Sequence, residues 1–301
     1  MKLSKLLITL FASVSLGTSA KADQLKLDSF TSSAQLVAAL PESAWRQLSP
    51  ENTIVMTLPE GEVVIELASK FAPNHVENIR TLVSEKYFDG TSVIRSQDNY
   101  VAQWGDTTDV DTNNPNAKPK PLGSAVEKLE VEFFEPLTSI PFTMIESKDA
   151  YADLVGFSQG LPAASDGKKA WLSHCYGMVG VSRGTESDSG NGSGLYAITG
   201  HAPRHLDLNV TLVGKVWLGM EHLSSLPRGK GPLGFYLEPS KYVPISSVSF
   251  LPKGKIIKVM RTDTQEFKRF VELRTTRNEE WFIEPTGSIE LCNIWVPIKV
   301  V

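Results

Sequence analysis

From Asn52 onward the chain is a succession of short runs rich in Val, Ile and Thr, divided by Gly, Pro, Asn and Asp. TIVMTL and EVVIEL flank a turn at Pro59-Glu60-Gly61 and form a hairpin pattern. Further strand-like runs are Thr91–Arg95, Val101–Gln103, Tyr176–Ser182, Leu195–Thr199 and Thr211–Trp217, followed by VPISSVSF, KIIKVMR, SIELC and IWVPIKVV. Helical spacing intervenes twice. It follows Ala72-Pro73 (Val76, Ile79, Leu82, Val83) and recurs over Thr264–Arg277 (Phe267, Phe270, Val271, Arg274). Short strands without alternating βαβ units predict a closed or sandwiched antiparallel sheet, a mostly β fold. Residues 23–51 form an N-terminal helical segment, with Ser32 as cap and Pro41 dividing Ser32–Leu40 from Glu42–Leu48. Residues 137–170 read as irregular and turn-rich, and no internal repeat is visible.

Composition narrows the function classes. The chain has 301 residues, 41% hydrophobic, with 30 basic and 34 acidic side chains, the make-up of a folded globular protein. A net charge of −4 gives no basic face for nucleic acid. Lys2 and Lys5 precede the apolar run Leu6–Leu16, and Ala20 and Ala22 occupy the small positions of a signal-peptidase site. Residues 1–22 therefore predict a cleavable signal peptide, cut between Ala22 and Asp23, and a periplasmic or secreted protein with no membrane span in the mature chain. Removing the three lysines of that segment leaves 27 basic and 34 acidic residues, near −7. In an oxidising compartment Cys175 and Cys292 can pair, or stand as two buried thiols; both readings remain open from sequence.

The segment Val63–Asp106 carries the functional signal. It contains, in order, Glu66-Leu67, Ala72-Pro73, Val76, Asn78, Tyr87-Phe88-Asp89-Gly90-Thr91, Arg95, Tyr100, Gln103 and Gly105-Asp106. This order resembles the cyclophilin-type peptidyl-prolyl isomerases, of the exported bacterial type with an insertion and a C-terminal extension. The second half is collinear: Gly177-Met178-Val179-Gly180-Val181-Ser182-Arg183, Gly192–Ile198, His205-Leu206-Asp207 and Val213-Gly214-Lys215-Val216. The resemblance covers residues 52–228 and implies an eight-stranded antiparallel β-barrel capped by two helices. An insertion at about 117–175 interrupts it, and an α+β extension, 229–301, packs on it.

The implied activity is peptidyl-prolyl cis-trans isomerisation (EC 5.2.1.8 class), acting on proline-containing polypeptides or unfolded exported proteins. No bond breaks in that reaction, so neither cofactor nor metal is required. By the resemblance, Arg95 and Gln103 are catalytic. Tyr100, Val101, Tyr196 and Leu206 line a proline pocket, His205 stands at its rim, and Ser182 and Arg183 border the peptide groove. Ile94, Tyr100, Val101, Gly194, Tyr196 and His205 depart from the family's usual His, Phe, Met, Gln, Phe and Trp, implying a pocket of altered shape. The alternative is a peptide-binding chaperone or binding module on the same fold with little or no isomerase activity, the extension being a surface for client chains.

Other chemistries are poorly supported. His201 and His205 are four apart, but Pro203 between them opposes a helical metal site. Ser182 lacks the glycines of a nucleophile elbow. The Gly-rich run 187–194 lacks the Lys-Ser/Thr of a phosphate loop. The Asp-rich run 107–116 lacks the glycine and terminal Glu of a calcium loop.

Overall fold

The computed structural model describes residues 25–109 and 118–301. The expected signal segment 1–22, its expected cleavage point between Ala22 and Asp23 and residues 110–116 of the Asp-rich run lie outside the described residues.

In chain order the strands begin with β1 (Trp45–Gln47), β2 (Thr53–Leu58), β3 (Gly61–Leu67), β4 (Ser92–Ser96) and β5 (Val101–Gly105). The insertion supplies β6 (Glu135–Pro136), β7 (Thr143–Met144), β8 (Leu154–Ser158), β9 (Leu161–Ser165) and β10 (Lys169–Leu172). Then come β11 (Met178–Val181), β12 (Leu195–Ile198), β13 (Leu212–Leu218), β14 (Val243–Pro244), β15 (Ser247–Phe250), β16 (Ile257–Met260) and β17 (Ile298–Val300). The α-helices are α1 (Ser33–Ala38), α2 (Pro73–Ser84), α3 (Met220–Ser224) and α4 (Gln265–Thr276).

The main sheet is antiparallel, in the order β14-β4-β5-β12-β11-β13-β3-β2-β15. Its two outer strands are one stretch of chain. β14 pairs with β4, β15 pairs with β2, and only Ile245 and Ser246 separate them. Ile245 donates to the Thr91 carbonyl (2.8 Å) and Ser246 to that of Thr57 (3.0 Å), so the run 243–250 bridges both edges. The nine hydrogen-bonded strands thus make a closed wall of eight staves, which leaves no open edge to recruit another chain. The closing run lies beyond residue 228, where sequence placed the barrel's end, and joins the wall through its β-branched alternation.

Period-two alternation divides each wall strand between two cores. In β5, Ala102 and Trp104 face the barrel interior, while Val101 belongs to the cluster outside. Helix α2 closes the interior with Val76, Ile79, Leu82 and Val83, each worth about 1.5–3 kcal/mol when buried. Pro73 begins that helix, where its missing N–H is no loss. The shorter α3 adds Leu223.

The outer cluster is where the insertion and the extension meet the barrel. The insertion forms a five-stranded antiparallel sheet, β6-β10-β9-β8-β7, in place of the irregular stretch read from sequence. Strand β9 reads Leu-Pro-Ala-Ala-Ser and is buried along its whole length, so no alternation marks it and Pro162 argues against a strand. Phe157 of β8 packs edge-on against Phe267 of α4 (5.2 Å between centroids). Thr264 caps α4 by accepting from the Phe267 amide. Cys175 and Cys292 are joined by a disulfide, tying the extension to the chain just before β11.

Two local expectations are corrected. Glu42–Leu48 is not helical: Glu42–Ala44 form a 3-10 turn, and Trp45–Gln47 pair with β16 in a small sheet with β17. Tertiary pairing overrides a weak local preference there. SIELC is likewise no strand, Leu291–Asn293 being a 3-10 turn.

Candidate active site

Arg95 sits on β4 directly opposite Gln103 of β5, and Gln103 in turn faces Tyr196 of β12. Tyr196 faces Gly180 of β11. Cross-strand neighbours share a face and stand roughly 5 Å apart, so four adjacent strands present Arg95, Gln103, Tyr196 and Gly180 in one row on the outside of the barrel. The register slips between Val93 and Arg95, leaving Ile94 as an extra residue. Such a bulge bends the strand and re-aims the next side chain.

The Arg95 guanidinium is held from several sides. Nη1 donates to Oε1 of Gln103 at 2.9 Å, Nη2 donates to Oε1 of Gln97, and Nε donates to the Leu233 carbonyl at 2.7 Å. The rings of Tyr100 and Phe235 flank it, 5.7 and 5.3 Å from the guanidinium carbon. Burial lowers its pKa, while the neighbouring Tyr100 and Tyr196 act in the opposite sense. Arginine's high intrinsic basicity keeps it charged at any physiological pH.

Beside this fork lies an apolar wall. Val101 and Tyr196 are buried in the outer cluster, with Tyr100 packed against it. Tyr196 lies over Gly180: a Cβ at that glycine would meet the tyrosine hydroxyl at 2.4 Å, so only glycine leaves room for the ring. The hydroxyl is 3.1 Å from Nε2 of His174. Burial pushes the Tyr196 pKa up, helped by the nearby Tyr100 and Asp207.

The remaining expected residues lie just after β11 and in the turn before β13. Ser182 follows β11, its amide donating to the Gly194 carbonyl at 2.9 Å. Its hydroxyl stands 2.2 Å from where a Cβ of residue 194 would lie, so the serine fills space that any larger residue there would contest. Arg183 is exposed and anchors its loop, with Nε and Nη2 donating to the Asn209 carbonyl at 3.1 and 2.9 Å. His205 is exposed and Leu206 half-buried, both in the 3-10 turn Arg204–Leu206. Structure thus brings Arg95, Gln103, Tyr100, Val101 and Tyr196 together, while Arg183 and His205 are exposed on neighbouring segments.

A polar network behind the wall escaped the sequence reading. Buried His174 places Nδ1 2.8 Å from Oδ1 of Asp207, which also accepts the His174 backbone amide at 2.9 Å. Asp207 accepts from Nε of Arg204 at 2.6 Å, and Arg204 reaches Asp149 of the insertion at 2.7 and 3.1 Å. Burial pushes the Asp207 carboxyl up, but His174 and Arg204 outweigh it and hold the group below the usual range. Gln97 and the Leu233–Phe235 segment were also missed. No motif marks them: Gln97 is an ordinary residue two places past Arg95, and Leu233–Phe235 reach it only through folding.

The model of the cyclophilin type peptidyl-prolyl cis-trans isomerase/CLD family matches residues 53–249, well over half of the chain. The chain belongs to this family. Its barrel row, apolar wall and all but the last residue of the closing strand lie inside the match. This cyclophilin is similar to a probable peptidyl-prolyl cis-trans isomerase of Brucella suis, 27% identical over 182 residues, covering 60% of this chain and 74% of that protein. The Brucella abortus counterpart is 26% identical over the same shares. Among solved structures, cyclophilin AquaCyp293 from Hirschia baltica shares the fold with a TM-score of 0.65 and 24% identity, covering 85% of this chain and 93% of that one. That coverage extends past the family match, so the shared architecture takes in part of the added segments. The chain is a mostly β cyclophilin and a peptidyl-prolyl cis-trans isomerase.

Proposed function

We propose that the isomerase acts on exported proteins as they fold, and that Arg95 is its catalytic group. An X–Pro bond turns slowly because resonance holds the amide planar, with an activation energy near ~20 kcal/mol. As the C–N bond twists, the imide nitrogen regains a lone pair. A guanidinium N–H aimed at that nitrogen forms a hydrogen bond the planar ground state cannot accept, and so binds the twisted state selectively.

The observation that carries this reading is the fixed row of Arg95 beside Gln103, backed by Tyr100, Val101 and Tyr196. In this reading Tyr100, Val101, Tyr196 and Leu206 receive the pyrrolidine ring, with His205 at the rim. Gln103 donates its amide N–H to a substrate carbonyl while its Oε1 holds Arg95, and Ser182 and Arg183 flank the peptide backbone. Periplasmic or secreted location rests on residues 1–22 and on the Cys175–Cys292 bond, which suits an oxidising compartment.

The test is a protease-coupled isomerisation assay of the mature protein with a proline tetrapeptide. Wild type accelerates the slow phase and Arg95→Ala does not. Equal rates for both sink the assignment of Arg95. A chaperone role that uses the same face without Arg95 predicts aggregation suppression surviving Arg95→Ala, and its loss in that variant counts against it.

A further inference from the structure

Residues 229–236 run from the end of α3 towards the closing strand and lie along the outer edge of β4. Gly229 donates to the Ser96 carbonyl and Tyr236 to that of Ile94, both at 2.9 Å, and Arg95 forms an isolated antiparallel bridge with Phe235. Between these anchors the chain doubles back on itself. Gly231 donates to the Phe235 carbonyl at 2.9 Å, and Gly234 to that of Gly231 at 3.0 Å. The reversal puts Leu233, 66% exposed, in the left-handed region at φ +56°. A branched-chain residue in that conformation is strained, and such strain persists where the surroundings demand it. Here it turns the Leu233 carbonyl onto Nε of Arg95, while Phe235 lays its ring against the guanidinium.

The geometry of the fork gives these contacts a consequence. A guanidinium has five N–H groups in one plane. Leu233 takes the one on Nε, Gln103 one on Nη1 and Gln97 one on Nη2. Three acceptors at three nitrogens fix both the position and the plane of the group. One N–H on each terminal nitrogen remains for substrate. We propose that the Leu233–Phe235 segment belongs to the isomerase site as a positioning element: the Leu233 carbonyl and the Phe235 ring hold the Arg95 fork in the plane from which it meets the twisted imide. This rests on the reading of Arg95 as the catalytic group. A fork free to rotate about its last side-chain bond would meet the same substrate with its donors misaligned, and misplacements of that kind lower rate rather than binding.

Two substitutions probe the element from different sides. Phe235→Ala removes the ring. Gly234→Ala adds a Cβ that would lie 2.6 Å from the Cα of Gln97, forcing the segment and its carbonyl away from β4. Both are expected to lower kcat about tenfold or more while KM stays within about twofold, and Phe235→Tyr, which keeps a ring, restores most of kcat. The direct readout is the Arg95 Nε–H resonance in 15N-labelled protein. In wild type it exchanges slowly with solvent, and in Gly234→Ala it exchanges fast, each compared at equal thermal midpoint or on the folded fraction. A wild-type Nε–H exchanging at the rate of a free arginine overturns the proposal whatever the variants do. So does full kcat in both variants when Arg95→Ala is inactive. Full activity in Arg95→Ala instead removes the underlying assignment of Arg95, and is recognised by that variant alone.

Discussion

The hydroxyl of Tyr196, in the barrel wall, stands 3.1 Å from Nε2 of His174, on the connection that follows the inserted sheet. The wall beside Arg95 is therefore held by a residue from outside the minimal barrel. His174 is held in turn by Asp207, which is held by Arg204, which is held by Asp149. The buried hydroxyl has found a partner, as a buried tyrosine's must. Tyr196→Phe leaves His174 with an unpaired ring nitrogen. The expected cost is about 1–3 kcal/mol of unfolding free energy, read by denaturant titration. An unchanged midpoint contradicts this.

The Arg204–Asp149 pair is buried on both sides, with side-chain exposures of 2% and 4%. Asp149→Ala leaves the two terminal nitrogens of Arg204 without this partner in a low-dielectric site, while Asp207 still holds Nε. The expected cost is about 1–3 kcal/mol, more than loss of an exposed pair such as Arg80–Glu77. Thermal melts of Asp149→Ala and Glu77→Ala, side by side, check the difference.

Acid should act through the same network. The Asp207 carboxyl is held below its usual range, so its contribution is fully present above the ordinary carboxylate pKa of about 3.9 and is lost as pH falls through the lowered folded value. Asp207→Asn is expected to be less stable at neutral pH and to lose less on acidification than wild type. Parallel melting curves from pH 7 to 2 for the two proteins contradict this.

Lys215 acts at the alkaline end of the range. Its side chain lines a cavity of about 510 Å³ beside the disulfide, with its ammonium 4.7 Å from the Trp217 ring centre. Desolvation of that ammonium brings its pKa down to about 8, against a smaller opposing effect of Glu66. The folded protein then releases this proton before the unfolded chain does. Stability rises as pH increases from about 8 towards the free lysine value near 10.4. Lys215→Met is expected to abolish that rise, as seen in denaturant midpoints measured at pH 7.5 and 9.5. A rise of equal size in the variant counts against it.

The disulfide closes a long loop, Cys175 and Cys292 being 117 residues apart. In the chain-entropy model its loss costs about 4–5 kcal/mol. Cys175→Ser/Cys292→Ser is expected to unfold at clearly lower denaturant with a similar slope. An unchanged midpoint contradicts the estimate.

Barrel and row were legible because local patterns encode both. β-branched runs and Gly turns mark β2, β3, β4, β5 and β12, and the ordered residues from Glu66 to Asp106 place Arg95, Tyr100 and Gln103 on one stretch of chain. What was hidden has no local pattern. Strand β9 is buried on both faces, so its sequence does not alternate. Trp45–Gln47 is a strand because β16 pairs with it, 210 residues or more away in the chain. Leu233 and Phe235 meet Arg95 across a separation of 138 residues or more, and nothing in PLGF announces an arginine partner. His174 stood next to Cys175 with no motif around it, and acquires meaning only from Tyr196 and Asp207.

Under the proposed mechanism one guanidinium, aligned by Gln103, lowers the barrier of the twisted X–Pro bond. The most direct measurement is kcat/KM for a proline tetrapeptide in wild type, Arg95→Ala and Arg95→Lys, with circular dichroism showing all three folded. The account predicts a fall of about 10²–10³ in Arg95→Ala and little recovery in Arg95→Lys, whose ammonium lacks the planar fork. Wild-type kcat/KM in folded Arg95→Ala would contradict it.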